Sequence, residues 1–344
     1  MKEYDVIIVG GGPAGTAAAL ILKKNNINYC IIEKYKFPRE KLCGGGLTHK
    51  SSSLLSELGF DVKTNKVRKV KDVYFVAKNI NANMKLNNEL IMVDRLEFDN
   101  TNIQQVVDNN LFESENIVNI DWNVLTTNKN EYKFQYIIFA DGVNWYSRKF
   151  IKNKKVGCCV EYDLDVEVNK TVFDFSAIDS GYGRIFPKNG HSIIGLGNIN
   201  DSNRVVNYLD LLCKFGEKYN FKIDKAKIKW YPIPVFSKEI YKKSVIDNRY
   251  ILVGDAASLI DQVTWEWIYY ALYSGSAAAQ SIVSSMNDKT DLQKTYFEKT
   301  RKIYRSLIKR KFLGKLLYSK YGTMFIRLGL SNKYFVNKLN ELFG

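Results

Sequence analysis

The stretch Tyr4-Asp5-Val6-Ile7-Ile8-Val9-Gly10-Gly11-Gly12-Pro13-Ala14-Gly15-Thr16-Ala17-Ala18-Ala19 decides the fold class. Up to Val9 it is apolar and β-branched, as a buried strand requires, and residues 14–24 are alanine-rich and helical. Gly10-x-Gly12-x-x-Gly15 falls between the two, so strand, tight turn and helix follow in the order of a dinucleotide-binding βαβ unit. Gly10 permits the turn, Gly12 lets the backbone approach a pyrophosphate, and Gly15 lets the helix pack close, while the helix N-terminus favours the phosphate charge. A second strand, 29–32, leads to Glu33, a carboxylate placed to accept ribose hydroxyls. Ala14 and Lys34 complete the residues assigned to this end of the site.

Two further apolar strands lie downstream: 136–139 ends in Ala140-Asp141-Gly142, and 250–253 ends in Gly254-Asp255-Ala256-Ala257, followed by a helical stretch over 268–281. Between these segments, roughly 66–94 and 155–236 alternate short strand-like runs with polar turns, which suits an antiparallel sheet. The fold class expected is α/β: a discontinuous Rossmann-type domain over 1–65, 95–154 and 237–290, an interleaved antiparallel β-sheet domain over 66–94 and 155–236, and a basic helical C-terminal segment over 291–344.

A chain of 344 residues with 46% hydrophobic and 25% charged residues suits two globular domains and excludes disordered or fibrous classes. Cys30, Cys43, Cys158, Cys159 and Cys213 have neither a disulfide framework nor zinc-ligand spacing, so a reducing cytoplasm is expected and no metal. The first residues carry no signal-peptide pattern, and the apolar stretch 6–22 is broken by glycines and Pro13, so it is no membrane span. The net charge of +15 is concentrated in residues 301–344, where eleven basic residues face one acid, Glu341. Ile308, Phe312 and Leu316, with Leu313 and Leu317 beside them, give that segment the pattern of a basic amphipathic helix. Such a helix either packs on the cofactor domain or contacts an anionic membrane surface, here the inner face; without a nucleic-acid module, no nucleic-acid partner is expected.

The Asp141-Gly142 and Gly254-Asp255 strand ends resemble the paired motifs of FAD-dependent aromatic hydroxylases and geranylgeranyl reductases. The resemblance implies FAD, with Asp255 on the ribitol chain and the helix opening near Ile268 pointing at the flavin. Val93-Asp94-Arg95 to Asp99 resembles the R-x-x-F-D helix that brings Arg95 beside the cofactor. Arg39-Glu40-Lys41-Leu42-Cys43-Gly44-Gly45 is similar to the R-x-K-x-C-G-G segment of geranylgeranyl reductases, and Tyr182, Arg184, Phe186 and Pro187, with Gly195 and Gly197, match their Y-x-W-x-F-P and G-x-G pair as substrate residues. Residues 264–272 resemble T-G-E-G-I-Y-Y-A-L, which adds Trp265 and Trp267 to the cofactor residues and Trp265 to the substrate side as well. The likeness runs over about 4–280. It implies saturation of a polyprenyl double bond by hydride from reduced flavin, with Cys43 as proton donor and the backbone at Gly44 and Gly45 passing close to the flavin face, so that Arg39, Cys43, Gly44 and Gly45 join the cofactor residues.

No second dinucleotide fingerprint is present, so ferredoxin, quinol and NAD(P)H all stand as electron donors. His49 and His191 lie outside every motif and read as packing or exposed residues. Three tryptophans depart from the family pattern: Trp145, Trp265 and Trp267 stand where serine or glycine is expected, and Arg184 replaces the motif tryptophan. An indole at such a position either rebuilds the flavin pocket or fills it. Two rivals therefore accompany the reductase reading: a flavin monooxygenase or other flavin reductase acting on an apolar or aromatic molecule, and a catalytically impaired flavoprotein.

Overall fold

The strand Val6–Val9 is wholly buried and pairs in parallel with Tyr29–Glu33 on one side and Tyr136–Phe139 on the other. The computed structural model in which it is seen describes residues 1–60, 67–77, 80–143, 146–151, 156–199, 205–318 and 322. These three strands are the centre of a six-stranded sheet completed by Leu111–Glu113 at one edge and by Tyr250–Leu252 and Val245–Ile246 at the other. Only Val245–Ile246 runs antiparallel. A parallel sheet covered by helices needs apolar residues on both faces, which is why its strands read as unbroken apolar runs.

The helices Pro13–Lys24 and Ile268–Asp288 pack side by side through small residues. A methyl group on Gly275 would stand 2.0 Å from the Ala14 carbonyl oxygen, so the close crossing depends on glycine there. Buried Ala17, Ala18, Ala277 and Ala278 keep the remaining side chains short.

The second layer is an eight-stranded sheet in the order Lys229–Pro234, Val156–Leu164, Ser192–Asn198, Gly181–Pro187, Thr171–Asp174, Arg68–Ala77, Ile80–Met92, Gly46–Leu47. It is antiparallel except where Thr171–Asp174 runs parallel to Arg68–Ala77. Gly46–Leu47 joins it from the stretch expected to serve the cofactor half, which draws the Cys43 segment across to this sheet. A third sheet of Lys2–Glu3, Glu131–Lys133, Val124–Thr127 and Ile117–Asp121 was not anticipated, because these strands are short and mostly solvated.

The C-terminal helix Leu292–Leu317 is capped by Asp291, whose carboxylate accepts the Lys294 N–H at 2.6 Å. Tyr296, Thr300, Ile303 and Leu307 form its buried face, with Thr300 and Tyr241 hydroxyls 2.7 Å apart. The stripe expected to be the apolar face is a different one: Phe312 is 75% exposed, and Ile308 and Leu313 are 40% exposed each. Among the described residues no helix is long and apolar enough to cross a membrane. Lys320, Arg327, Lys333, Lys338 and Glu341 of the basic tail lie outside the described residues, as does Trp145.

Candidate functional site

At the carboxyl ends of the parallel strands a cleft of about 520 Å³ opens between the two large sheets. Gly10, Gly12, Ala14, Glu33 and Lys34 line it together with Asp255, Trp267 and Ile268, and so do Arg39, Arg95, Asp141 and Gly142. Gly10 holds φ +100°, and a methyl on it would stand 2.5 Å from the Ala140 oxygen; one on Gly15 would meet the Gly10 oxygen at 1.9 Å. Gly12 differs, since a methyl there meets only the Arg39 guanidinium at 3.7 Å and points into open space. Gly15 and Gly254 thus serve the packing of the turn and helices and do not line the cleft.

Both helices that face the cleft begin without a side-chain cap: Gly12 precedes Pro13–Lys24 and Trp267 precedes Ile268–Asp288. Their first N–H groups are left for an anionic or polar ligand, and an uncapped N-terminus is where phosphate binds best. The residues present therefore suit a dinucleotide that carries a diphosphate at one end and a ring with carbonyl oxygens at the other.

Charges around the cleft are held in a network. Glu33 accepts the N–H groups of Gly11 at 2.9 Å and Tyr35 at 3.1 Å, and Arg39 approaches it at 3.4 Å. Asp99 receives both Arg95, at 2.7 and 2.8 Å, and Arg39, at 3.1 Å, so one buried carboxylate orients two guanidinium groups. Burial works against the Arg95 charge, yet Asp99 and Cys43 raise its pKa overall. Burial also pushes the Asp141 carboxyl up to about 6, against hydrogen bonds from the Ser147 N–H at 2.9 Å and hydroxyl at 2.6 Å. Asp255 is likewise raised by burial, with Lys41, Arg95 and Arg148 opposing.

A smaller pocket of about 60 Å³ adjoins the cleft and shares Trp267 and Ile268 with it. Cys43, Gly44 and Gly45 line this pocket rather than the cleft, together with Tyr182, Arg184, Phe186 and Trp265. Trp265 was expected at the cofactor as well, but its indole turns away to the sheet, and Pro187 ends its strand without lining either cavity. The Cys43 sulfur accepts the Trp267 Nε1–H at 3.0 Å and the Gly45 N–H at 3.3 Å, and Arg95 lies beside it.

Arg184 was expected on the substrate side and lines the smaller pocket, while Lys188, Asp261 and Glu266 were given no role by the sequence reading. Arg184 is 3% exposed and pairs with Glu161. Such a pair is held less for net stability than because removing one partner leaves a buried charge uncompensated. Lys188 is 2% exposed and donates to the carbonyl oxygens of Gly44 and, at 2.7 Å, of Val93. It ties the Cys43 segment to the start of the Arg95 helix, and burial pulls its amine down to about 8. Glu266 accepts from Ser51 at 2.7 Å and from Thr48, and burial raises its pKa. Asp261 anchors its own loop through the Val263 N–H and the Thr264 hydroxyl, both at 2.9 Å, and pairs with Arg310 of the C-terminal helix. Lys188 directly follows the matched Pro187 and Glu266 falls inside the matched stretch 264–272, which are the positional hints; no spacing marks Asp261.

Comparison with known proteins agrees with this architecture. Residues 3–157 match the FAD binding domain family. The chain is 34% identical over 348 residues to an uncharacterized protein of Methanosarcina barkeri, covering 94% of this chain and 86% of that one. It is 25% identical over 364 residues to the digeranylgeranylglycerophospholipid reductase of Methanococcus aeolicus, covering 93% and 88%. The crystal structure of a geranylgeranyl bacteriochlorophyll reductase-like protein from Thermoplasma acidophilum superposes with a TM-score of 0.82 at 20% identity, over 98% of this chain and 96% of that one. Fold and relatives together define an FAD-dependent oxidoreductase on the aromatic hydroxylase scaffold. Within that class the chain belongs to one family with the uncharacterized Methanosarcina barkeri protein and is similar, at lower identity, to reductases named for geranylgeranyl substrates.

Proposed function

We propose that this protein reduces carbon–carbon double bonds of a polyprenyl, geranylgeranyl-type lipid. The observation that carries the reading is the position of Cys43, in a mostly aromatic and apolar pocket that adjoins the cofactor cleft across Trp267. FAD, when bound and reduced, supplies the hydride for one alkene carbon. The glycine turn and its helix would hold the diphosphate, Glu33 the ribose, and Asp255 with the uncapped Ile268 helix end the ribitol and flavin.

Cys43 delivers the proton to the other carbon. The N–H groups of Trp267 and Gly45, with Arg95 nearby, compensate the charge that sulfur acquires when its proton leaves. Tyr182 and Phe186 supply the apolar walls that exclude water from the reacting carbons. The exposed Ile308, Phe312 and Leu313, flanked by exposed Arg305, Lys309 and Lys315, support peripheral contact with an anionic membrane surface where such lipids reside.

The test is anaerobic turnover of dithionite-reduced holoprotein with a geranylgeranyl lipid, read by mass spectrometry. Gain of two hydrogens per bond is expected. Oxygen-dependent hydroxylation of an apolar substrate, without alkene reduction, would transfer the protein to the monooxygenase class.

A further inference from the structure

We infer that Trp265 makes the substrate pocket a dead end, so that a polyprenyl chain enters by its terminus and only its terminal double bond is reduced. This rests on the alkene-reductase reading above and adds the regiochemistry. The indole is 5% exposed, and its six-membered ring fills the space over Gly197: a methyl on that glycine would stand 2.0 Å from Trp265 Cζ3. Tyr182 lies against it at 4.7 Å between ring centroids and Tyr318 at 6.0 Å.

The indole is clamped on a loop that cannot readily turn it away. The Trp265 backbone N–H donates to the Asp261 backbone carbonyl oxygen at 2.9 Å, the Asp261 backbone N–H to the Glu266 backbone carbonyl oxygen at 3.1 Å, and the Asp261 carboxylate is paired with Arg310. Tyr318 donates to the Val263 oxygen at 2.8 Å, which closes the C-terminal helix over the same loop. Trp265 itself has φ +56°, a left-handed conformation unfavourable for a residue with a side chain, so its packing holds it where the chain alone would favour glycine.

Size then decides what enters. The pocket of about 60 Å³ is smaller than the roughly 150 Å³ of an apolar cavity that takes up benzene. The branched dimethyl tip of the chain, smaller than benzene, is the most this wall allows beside Cys43, so the bond next to that tip is the one brought to the sulfur. The terminal bond gains a hydride on one carbon and the Cys43 proton on the other, two electrons leaving the reduced cofactor for each bond saturated.

Two measurements test the wall. With reduced holoprotein and geranylgeraniol, the wild type is expected to add two hydrogens at the terminal isoprene only, and Trp265→Gly to yield products with two or more bonds reduced. Internal or multiple saturation by the wild type would overturn the inference. The second measurement needs no turnover: benzene should raise the melting temperature of the Trp265→Gly holoprotein and leave the wild type unchanged. Equal shifts in both proteins would also overturn it. Trp265→Phe, a smaller change with less risk to folding, should fall between the two in both assays. If neither protein reduces geranylgeraniol while benzene still separates them, the wall stands and the alkene-reductase reading fails.

Discussion

The indole Nε1 of Trp267 donates to the Cys43 sulfur at 3.0 Å, joining residues 224 apart in the chain and forming the partition between the cofactor cleft and the smaller pocket. A hydrogen bond to a group that becomes charged contributes about 1.5–3 kcal/mol, so Trp267→Phe should slow alkene reduction roughly ten- to a hundredfold with FAD content unchanged. Stopped-flow reoxidation of the reduced flavin by substrate measures this. A rise in FAD content with turnover intact would instead assign the indole to obstruction of the cofactor.

Cys43→Ala should leave FAD bound, because the sulfur lines the smaller pocket and not the cleft. Loss of a general acid costs on the order of 10²–10⁴ in rate. Single-turnover product formation, set beside the visible spectrum of the same sample, separates the two effects, and turnover at the wild-type rate would remove Cys43 from the proton-donor role.

Gly12→Val and Gly15→Ala should part company. The Gly12 side-chain direction is open toward the cleft, so the variant folds with a near-normal melting temperature in the absence of cofactor but does not retain FAD. At Gly15 even a methyl meets the Gly10 oxygen at 1.9 Å, and overpacking of this kind destabilises by about 1–3 kcal/mol or more. Absorbance at flavin wavelengths and thermal melts of both variants decide the matter.

Lys188 sets a pH dependence of stability. Its pKa is near 8 in the folded protein and about 10.4 in an unfolded chain, so between these values the unfolded state binds more protons and stability rises with pH. Below about 8 both states are protonated and folding bears the full cost of burying the charge. Relative to Lys188→Met, the wild type should gain stability from about pH 8 to 10.5, on the order of 3 kcal/mol at most. Denaturant melts of the two proteins across this range give the slope, and parallel curves would refute the assignment.

The exposed stripe on the C-terminal helix predicts salt-sensitive membrane binding. Each basic residue near an anionic surface contributes about 1 kcal/mol, and the contribution is screened by salt. Holoprotein should sediment with anionic vesicles at low salt and less at high salt, and Ile308→Ser with Phe312→Ser should weaken binding further. Equal sedimentation with neutral and anionic vesicles, or none with either, would exclude the surface.

The sequence by itself determined the dinucleotide half of this protein and the identity of its cofactor. Gly10, Gly12 and Gly15 act through spacings of a few residues, and the strand-end aspartates Asp141 and Asp255 sit in motifs whose meaning is local, so one-dimensional order carries their geometry. The Cys43-Gly44-Gly45 segment could be picked out as a motif for the same reason, but not the pocket it lines. Tertiary structure alone decided how the departures were accommodated. That Trp267 faces Cys43 while Trp265 turns onto Gly197 depends on where the loop over 261–267 meets the large sheet. The Lys188 contact with Gly44, across 144 residues, and the Arg310 pair with Asp261 arise only when the two layers and the C-terminal helix close together. A side chain's partner across such distances is set by packing, in which burial favours a complement for a charge, and no periodicity in the chain records that pairing.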